Sequence, residues 1–363
     1  MFELIFLAAV SLYFIQVIIF IIGAQKKFPQ ISDSELPAIT VIVAARNEEQ
    51  NIFNCIESLS NLEYPENKIE IIIVDDDSTD RTGEIVKEFI TDKPRFKIVR
   101  PTRQIGKVKG KARAIANGIE ESSGEIILTT DADCIVNPKW AKTLASYYKE
   151  DVAMVCGYTD QLTDNAFYGM QSMDFIYLLA VAGGAMNLGK PLSCIGNNMS
   201  YRKSVYYEIG GYEKIPFSVT EDFQVLMTMH KLKKYKIIYP LDEGGLVTSK
   251  PCPDVKSIFW QKKRWGVGGL DSDLVGFAVM ASAFVAHLCI LLTPFFYSMN
   301  ALYLAGFKFV VDLFFLVPLY NKLKLKFSLK HFFAFELYFI VYVIGLPIVL
   351  LFSRKIVWKE REF

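Results

Sequence analysis

IEIIIVDDDSTD, residues 69–80, is the stretch that decides the fold class. Ile69 to Val74 is almost wholly β-branched and apolar, interrupted only by Glu70, and such a short run reads as a strand buried on both faces, the kind found in parallel sheets. It breaks at once into Asp75, Asp76, Asp77 and Asp80, four acids within six residues. Ser78, Thr79 or Asp80 serves as the cap of a helix predicted over 80–90. Capping leaves the other acids unexplained. The carboxyl end of a strand in an open α/β sheet is where ligands bind, and an acid there accepts hydrogen bonds from a nucleotide base or ribose.

Outward from this point strands and helices alternate. The pattern predicts strands over 39–44, 96–99 and 125–130, and helices over 48–60 and 108–120. A further helix carrying Trp140, Leu144 and Tyr148 follows Asn137-Pro138. Alternation of this kind predicts an α/β fold, a mostly parallel sheet with helices on both faces. The strand 125–130 ends in Asp131-Ala132-Asp133. Two carboxylates flanking one small residue suit Mg2+ or Mn2+, hard cations that bridge protein carboxylate to a substrate diphosphate.

At both ends of this water-facing stretch the composition changes. The 363-residue chain is 52% apolar, with a mean hydropathy of +0.26. Residues 4–22 carry no charge and are long enough to cross a bilayer. They lack the basic lead-in and small-residue cleavage site of a signal peptide, so a retained anchor is expected. Three more apolar blocks lie at 274–296, 299–319 and 332–352. The middle block holds Lys308 and Asp312 one turn apart, which are expected to pair because lone charges in a membrane are costly. Gly345 and Pro347 could break the helix of the last. Lys322, Lys324, Lys326 and Lys330 precede that block, and Arg354, Lys355, Lys359 and Arg361 follow it. The positive-inside rule pulls both clusters to the cytoplasmic face, which both can reach only if the block between them is re-entrant or another block is not a full crossing. The expected division is an anchor over 1–27, a catalytic domain over 38–271 and a membrane region over 272–363.

Forty Lys and Arg against 39 Asp and Glu leave no positive field for nucleic acid. Six scattered Cys without a CxxC pair predict reduced thiols, and the three His lack metal-ligand spacing. The basic run Lys107–Arg113 is either a solvated helix face or a phosphate contact at a helix N-terminus; it is neither a Walker A loop nor GxGxxG. Thr220-Glu221-Asp222 reads as an N-cap with first-turn acids, or as a general base. Gln261-Lys262-Lys263-Arg264-Trp265, beside Ile258, Phe259 and Trp260, suits an amphipathic helix on a membrane surface. Within it Arg264 has the fork for a diphosphate and Trp265 the ring to stack on a sugar. The apolar stretch 167–188 is either a core helix or an interfacial platform for an acceptor.

Six segments stand in order: VIVAARNEE, VDDDSTD, TTDADC, GNNMSYRKS, TEDFQVL and QKKRW. Together they resemble a membrane-bound family-2 glycosyltransferase of GT-A fold, over roughly residues 38–270. The resemblance implies inverting transfer from a nucleotide-diphosphate sugar, with uridine favoured as the nucleotide. It implies that Ala44, Arg46 and Glu48 line the nucleotide pocket and that Asp76 contacts base or ribose. It assigns Asp131 and Asp133 to metal and diphosphate, Asp222 to the base and Glu221 to its support. Lys111 is the lysine of the family's GKxxALN pattern, which stands here as GKARAIA, with Ala116 in place of Asn. Gln261, Arg264 and Trp265 match QxxRW, near diphosphate and acceptor, and Asn197 and Asn198 would lie near the transferred sugar. Ala44 stands where the family often has Pro. The acceptor implied is the hydroxyl of a membrane lipid or lipid-linked molecule, at a bacterial inner membrane with the catalytic domain in the cytoplasm. A processive polysaccharide synthase, which also carries QxxRW, and a non-catalytic membrane scaffold are the alternatives.

Overall fold

The computed structural model describes every residue except Lys107, Phe217, Val219, Lys359, Glu360 and Phe363, and only the backbone of 357, 358, 361 and 362. Lys107 of the basic run, and Lys359 and the Arg361 side chain of the last basic cluster, therefore lie outside the described residues. In chain order the first elements are α1 (Phe2–Ala24), β1 (Ile39–Ala45), α2 (Ile52–Ser60), β2 (Ile69–Asp75), α3 (Thr82–Ile90), β3 (Phe96–Val99), α4 (Lys111–Glu120) and β4 (Ile126–Asp131). Next come β5 (Ile135–Val136), α5 (Trp140–Ser146), β6 (Val152–Cys156), β7 (Thr159–Gln161), α6 (Ala166–Asn187), β8 (Met199–Arg202), α7 (Lys203–Glu208), α8 (Gly211–Lys214) and α9 (Glu221–Lys231). The rest are β9 (Lys236–Ile238), β10 (Val247–Ser249), α10 (Val255–Gly269), α11 (Leu274–Leu292), α12 (Met299–Lys322), α13 (Leu329–Phe352), β11 (Val357–Trp358) and β12 (Arg361–Glu362). They form two compact units: residues 26–160 with 193–250, and residues 1–25 with 161–192 and 251–363. These boundaries do not coincide with the sequence blocks 1–27, 38–271 and 272–363.

The unit of 26–160 and 193–250 is built on a seven-stranded sheet of order β3-β2-β1-β4-β8-β6-β9. β8 alone is reversed, antiparallel to β4 and β6, so the sheet is mostly parallel as expected. One face buries Val41, Val43, Ile71, Ile73 and Leu128 against Ile52, Ile56 and Leu59 of α2, Val86 of α3, and Trp140 and Leu144 of α5. α4 covers the opposite face, where Gly118 lies against Ile42 and Val74. The sheet is thus covered on both sides, which is why its strands read as unbroken apolar runs.

Element ends depart from the sequence reading for physical reasons. α2 begins at Ile52 rather than 48, because the amides of Glu48 and Glu49 donate to Thr82 Oγ1 (2.8 Å) and Asp80 Oδ2 (3.0 Å) instead of opening a helix. α4 begins at Lys111 rather than 108, after Gly110 takes a φ of +59° that only glycine adopts readily. β4 runs one residue further than expected, since Asp131 pairs in register with Ala44.

Residues 1–25, 161–192 and 251–363 form a helical unit. Among the described residues four helices are long and apolar enough to cross a membrane: α1, α11, α12 and α13. The chain is an integral-membrane protein on this ground. α13 continues unbroken to Phe352, so Gly345 and Pro347, which could break it, do not. Proline is tolerated in such helices when neighbours satisfy the freed carbonyl. The pair expected within α12 forms, with Lys308 Nζ 2.6 Å from Asp312 Oδ2, and it gains a third member, Glu336 of α13, at 2.7 Å. Tyr13 of α1 donates to Asp312 Oδ1 (2.7 Å) and meets the Tyr177 hydroxyl of α6 at 2.5 Å. α6 is the core-helix reading of stretch 167–188: most of its residues are buried, among α1, α12 and α13.

Candidate active site

The carboxyl ends of β1, β2 and β4 lie side by side and carry Ala44, Arg46, Glu48, Asp76, Asp131 and Asp133 of the expected residues. Past β1 and β2 the loops are laced together. Asn47, at φ +52°, accepts the Thr79 amide on its side-chain oxygen (2.8 Å), and its own amide donates to Ser78 Oγ (3.1 Å). The four acids of the DDDSTD run have separate tasks. Asp75 accepts the Ser78 amide (3.0 Å), and Asp80 accepts the amide and hydroxyl of Thr82 (3.0 and 2.6 Å). Those two hold the turn. Asp76 and Asp77 both take the guanidinium of Arg113, at 2.6 and 3.0 Å, and Asp76 is almost fully buried. Arg46 donates to the Asp76 carbonyl at 3.1 Å. Hydrogen bonding to Asp76 pushes the Arg113 pKa up.

Arg113 and Lys111 share the first turn of α4, and each serves a different strand end. Lys111 Nζ lies 2.5 Å from Asp131 Oδ1 and 3.9 Å from Glu221 Oε1 at the start of α9. Burial favours loss of its proton, but Asp131 and Glu221 outweigh that and hold its pKa above the ordinary lysine value. Gly196, just before β8, closes the gap: a Cβ there would stand 3.3 Å from the Asp222 carboxylate and 3.4 Å from Lys111 Nζ. α4 therefore links the acids after β2, through Arg113, to Asp131 after β4 and Glu221 at the head of α9, through Lys111. Asp133 follows on the same strand end, its Oδ1 accepting the Cys134 thiol at 3.4 Å. Thr220 precedes α9 without a side-chain cap bond, while Asp222 accepts the Phe223 amide (2.9 Å).

One expectation changes, the exposure of the lysines of α10, and the two asparagines before β8 are held from within. Asn198 is fully buried: its oxygen accepts the Trp140 indole (2.9 Å), and its nitrogen donates to the carbonyls of Tyr158 (2.6 Å) and Gly245 (2.9 Å). These bonds tie β8 to its neighbours and fix the Asn198 side chain. Asn197 accepts from Thr159 Oγ1 at 2.9 Å. Lys262 and Lys263 of α10 are buried rather than spread on a membrane surface: Lys262 pairs with Asp174 and Lys263 donates to Ser353 (3.2 Å). Gln261, Arg264 and Trp265 lie on α10, in the helical unit. Ala44 is the β1 residue in register with Val74 and Asp131, and Glu48 accepts from Asn51 Nδ2 (2.7 Å). Arg113, read in sequence as part of the basic run Lys107–Arg113, is instead the partner of Asp76 and Asp77.

For a divalent cation the oxygens present fit. Asp131 Oδ1 faces the Lys111 ammonium at 2.5 Å, a cation that a metal ion can displace or join. Among the described residues no three His, Cys, Asp or Glu cluster tightly enough to hold a metal by themselves. One or two carboxylates completed by substrate phosphate oxygens is the arrangement Mg2+ commonly takes.

Comparison with known proteins defines the class. Residues 126–352 match the model of glycosyl transferase family group 2, and residues 40–210 that of glycosyl transferase family 2. The chain belongs to the family-2 glycosyltransferases, with a GT-A-like core and membrane helices. It is similar to a probable glycosyltransferase of Bacillus subtilis, YdaM, 28% identical over 64% of this chain and 56% of that one. It is also similar to a beta-monoglucosyldiacylglycerol synthase of Nostoc (28%, over 64% and 49%) and to a poly-beta-1,6-N-acetyl-D-glucosamine synthase of Staphylococcus aureus (27%, over 67% and 57%). The chain spans about half the length of the curated relatives it matches. In fold it resembles the mannosyltransferase PcManGT of Pyrobaculum calidifontis, at a TM-score of 0.62 and 19% identity over 97% of this chain and 99% of that one.

Proposed function

We propose that the chain is an inverting glycosyltransferase that moves a sugar from a nucleotide diphosphate, UDP first among candidates, to a hydroxyl of a membrane lipid or lipid-linked acceptor. The observation that carries this reading is the position of Lys111, whose one ammonium faces the Asp131 carboxylate and Glu221 of the Glu221-Asp222 pair. A leaving diphosphate bound at Asp131 and Asp133 and a base at Asp222 are then neighbours, as a displacement at one carbon requires.

In this reading Asp76, Arg46, Glu48 and the Ala44 backbone hold the nucleoside, and Arg113 frees or shares Asp76 as the nucleotide enters. Asp222 takes the proton of the acceptor hydroxyl while that oxygen attacks the anomeric carbon from the face opposite the diphosphate. Glu221 keeps Lys111 in place, and the Lys111 ammonium offsets charge gathering on the leaving group. Mg2+ or Mn2+ held by Asp131 and Asp133 would supply Lewis-acid neutralisation of the diphosphate. Asn197 is retained as a sugar contact, and Gln261, Arg264 and Trp265 as QxxRW contributors to donor and acceptor binding. Residues 1–27 serve as anchor, 38–271 as the catalytic portion and 272–363 as the membrane portion. With all four apolar helices crossing, Lys26 and Lys27 share a side with Lys322, Lys324, Lys326 and Lys330, and the cluster that begins at Arg354 falls on the other side; the six lysines favour the first side as the cytoplasmic face of a bacterial inner membrane.

The names of the relatives offer two products, a glycolipid and a polymer. Purified protein in detergent, incubated with radiolabelled UDP-glucose, UDP-galactose or UDP-N-acetylglucosamine and total bacterial lipid, should move label into the organic phase as one discrete species. A ladder of lengths instead assigns a polysaccharide synthase, and no transfer from any nucleotide sugar removes the enzyme reading.

A further inference from the structure

The QxxRW helix α10 is seated on one face of α6, and the seat is more elaborate than packing needs. Gln171, Asp174 and Phe175 stand at i, i+3 and i+4 on α6 and so share that face. Gln171 makes a two-way amide pair with the backbone of Cys252, donating to its carbonyl (3.1 Å) and accepting from its amide (2.8 Å). This fixes the chain two residues before Asp254, which caps α10 by accepting the Ser257 amide (2.7 Å). Asp174 Oδ2 accepts the Lys262 ammonium, with the side chains only 2% and 6% exposed. Phe175 meets the Trp265 ring with centroids 5.2 Å apart. From the other side Lys262 Nζ stands 4.2 Å from the Trp265 centroid and 4.9 Å from that of Tyr342 on α13. Gly266 lets α10 lie hard against α13, where a Cβ would come within 2.8 Å of Leu346 Cδ2.

A buried lysine and a buried aspartate are a poor way to glue helices. Desolvation offsets their attraction, and apolar side chains of the same size hold as well or better. Asp174 Oδ1 is also buried and accepts no hydrogen bond, a further cost. What an apolar pair would not supply is a cation at a fixed point beside the Trp265 ring, attracted to its π face. We propose that Asp174 is a positioning residue for the QxxRW motif: by holding Lys262 it sets the place and tilt of Trp265. The proposal rests on the reading of QxxRW as part of the transfer machinery.

The test compares wild type, Asp174→Asn/Lys262→Met, Trp265→Phe and the triple variant, each purified in detergent. Removing both charges leaves neither stranded, so the double variant should unfold near the wild-type temperature. It should nevertheless lose about tenfold in kcat/KM for the acceptor, with UDP binding unchanged and the Trp265 part of the fluorescence, taken against Trp265→Phe, shifted. If the pair acts through Trp265, the triple variant should be no worse than Trp265→Phe alone. Should the double variant fail to fold, Asp174→Glu keeps the charges and moves the ammonium by about one methylene; it should fold, shift the same emission and lose transfer in part. Wild-type kinetics and emission in the folded double variant or in Asp174→Glu, or losses that add fully to Trp265→Phe, overturn the proposal. An emission shift in protein that transfers no sugar even as wild type would leave the positioning intact and defeat the enzymatic reading instead.

Discussion

Lys111 and Lys308 each stand between two carboxylates, in surroundings that could hardly differ more. Lys111 is 2.5 Å from Asp131 and 3.9 Å from Glu221, and the three side chains are 33%, 34% and 18% exposed. Lys308 is 2.6 Å from Asp312 and 2.7 Å from Glu336, and none of the three is more than 1% exposed. Around Lys111 water can replace a lost partner, so the ion contacts are weak individually and open to exchange with an incoming phosphate. Around Lys308 nothing can. Breaking that trio leaves a charge in an apolar bundle. The first cluster is built for exchange and the second for permanence, and substitutions should separate activity from stability along that line.

The largest effect is expected at the catalytic side. Asp222→Asn should lower kcat by about 10²- to 10⁴-fold, the usual contribution of a positioned base, with nucleotide binding and the unfolding temperature kept; sugar transfer and thermal unfolding on one preparation check both halves. Next, Lys308→Met should cost about 3–5 kcal/mol of stability by stranding Asp312 and Glu336, seen as a lowered unfolding midpoint, while the folded fraction keeps its turnover. Lys111→Met should invert that pattern, losing about 1.5–3 kcal/mol of UDP affinity by calorimetry with little change in stability. Smallest is the surface pair of Lys236 and Asp151, 2.5 Å apart and at least half exposed. Its hydrogen bond to Lys236 holds the Asp151 pKa below the ordinary value, so the stabilisation is present above about pH 3.9 and lost as pH falls through the lower folded value. Asp151→Asn should therefore cost under about 1 kcal/mol at pH 7 and nothing in strong acid.

The strands and their acidic ends were legible because both are local: a buried parallel strand is a short apolar run, and nothing apolar explains Asp75 to Asp77 or Asp131 and Asp133 at its end. Partners across the fold were not. That Arg113 answers Asp76 follows from α4 crossing the sheet, which no spacing in the chain states. Nor does the sequence state that Asn198 makes three side-chain hydrogen bonds inside the core, to Trp140, Tyr158 and Gly245. Lys262 and Lys263 read as surface cations because a charge run usually is one; their burial depends on Asp174 and Ser353, about 90 residues away in the chain. Glu336 carried a signal that went unused, a lone acid within an apolar block, which in a membrane segment calls for a partner.

The central claim is that the carboxylates ending β4 grip the donor's diphosphate through a cation. Titration of UDP, and of GDP as the alternative, into purified protein with Mn2+ and then with excess EDTA tests it most directly, alongside Asp131→Asn/Asp133→Asn. Nucleotide binding should require Mn2+ and disappear both with EDTA and in the double variant. Binding of equal strength in EDTA, or undiminished in a folded double variant, would contradict it.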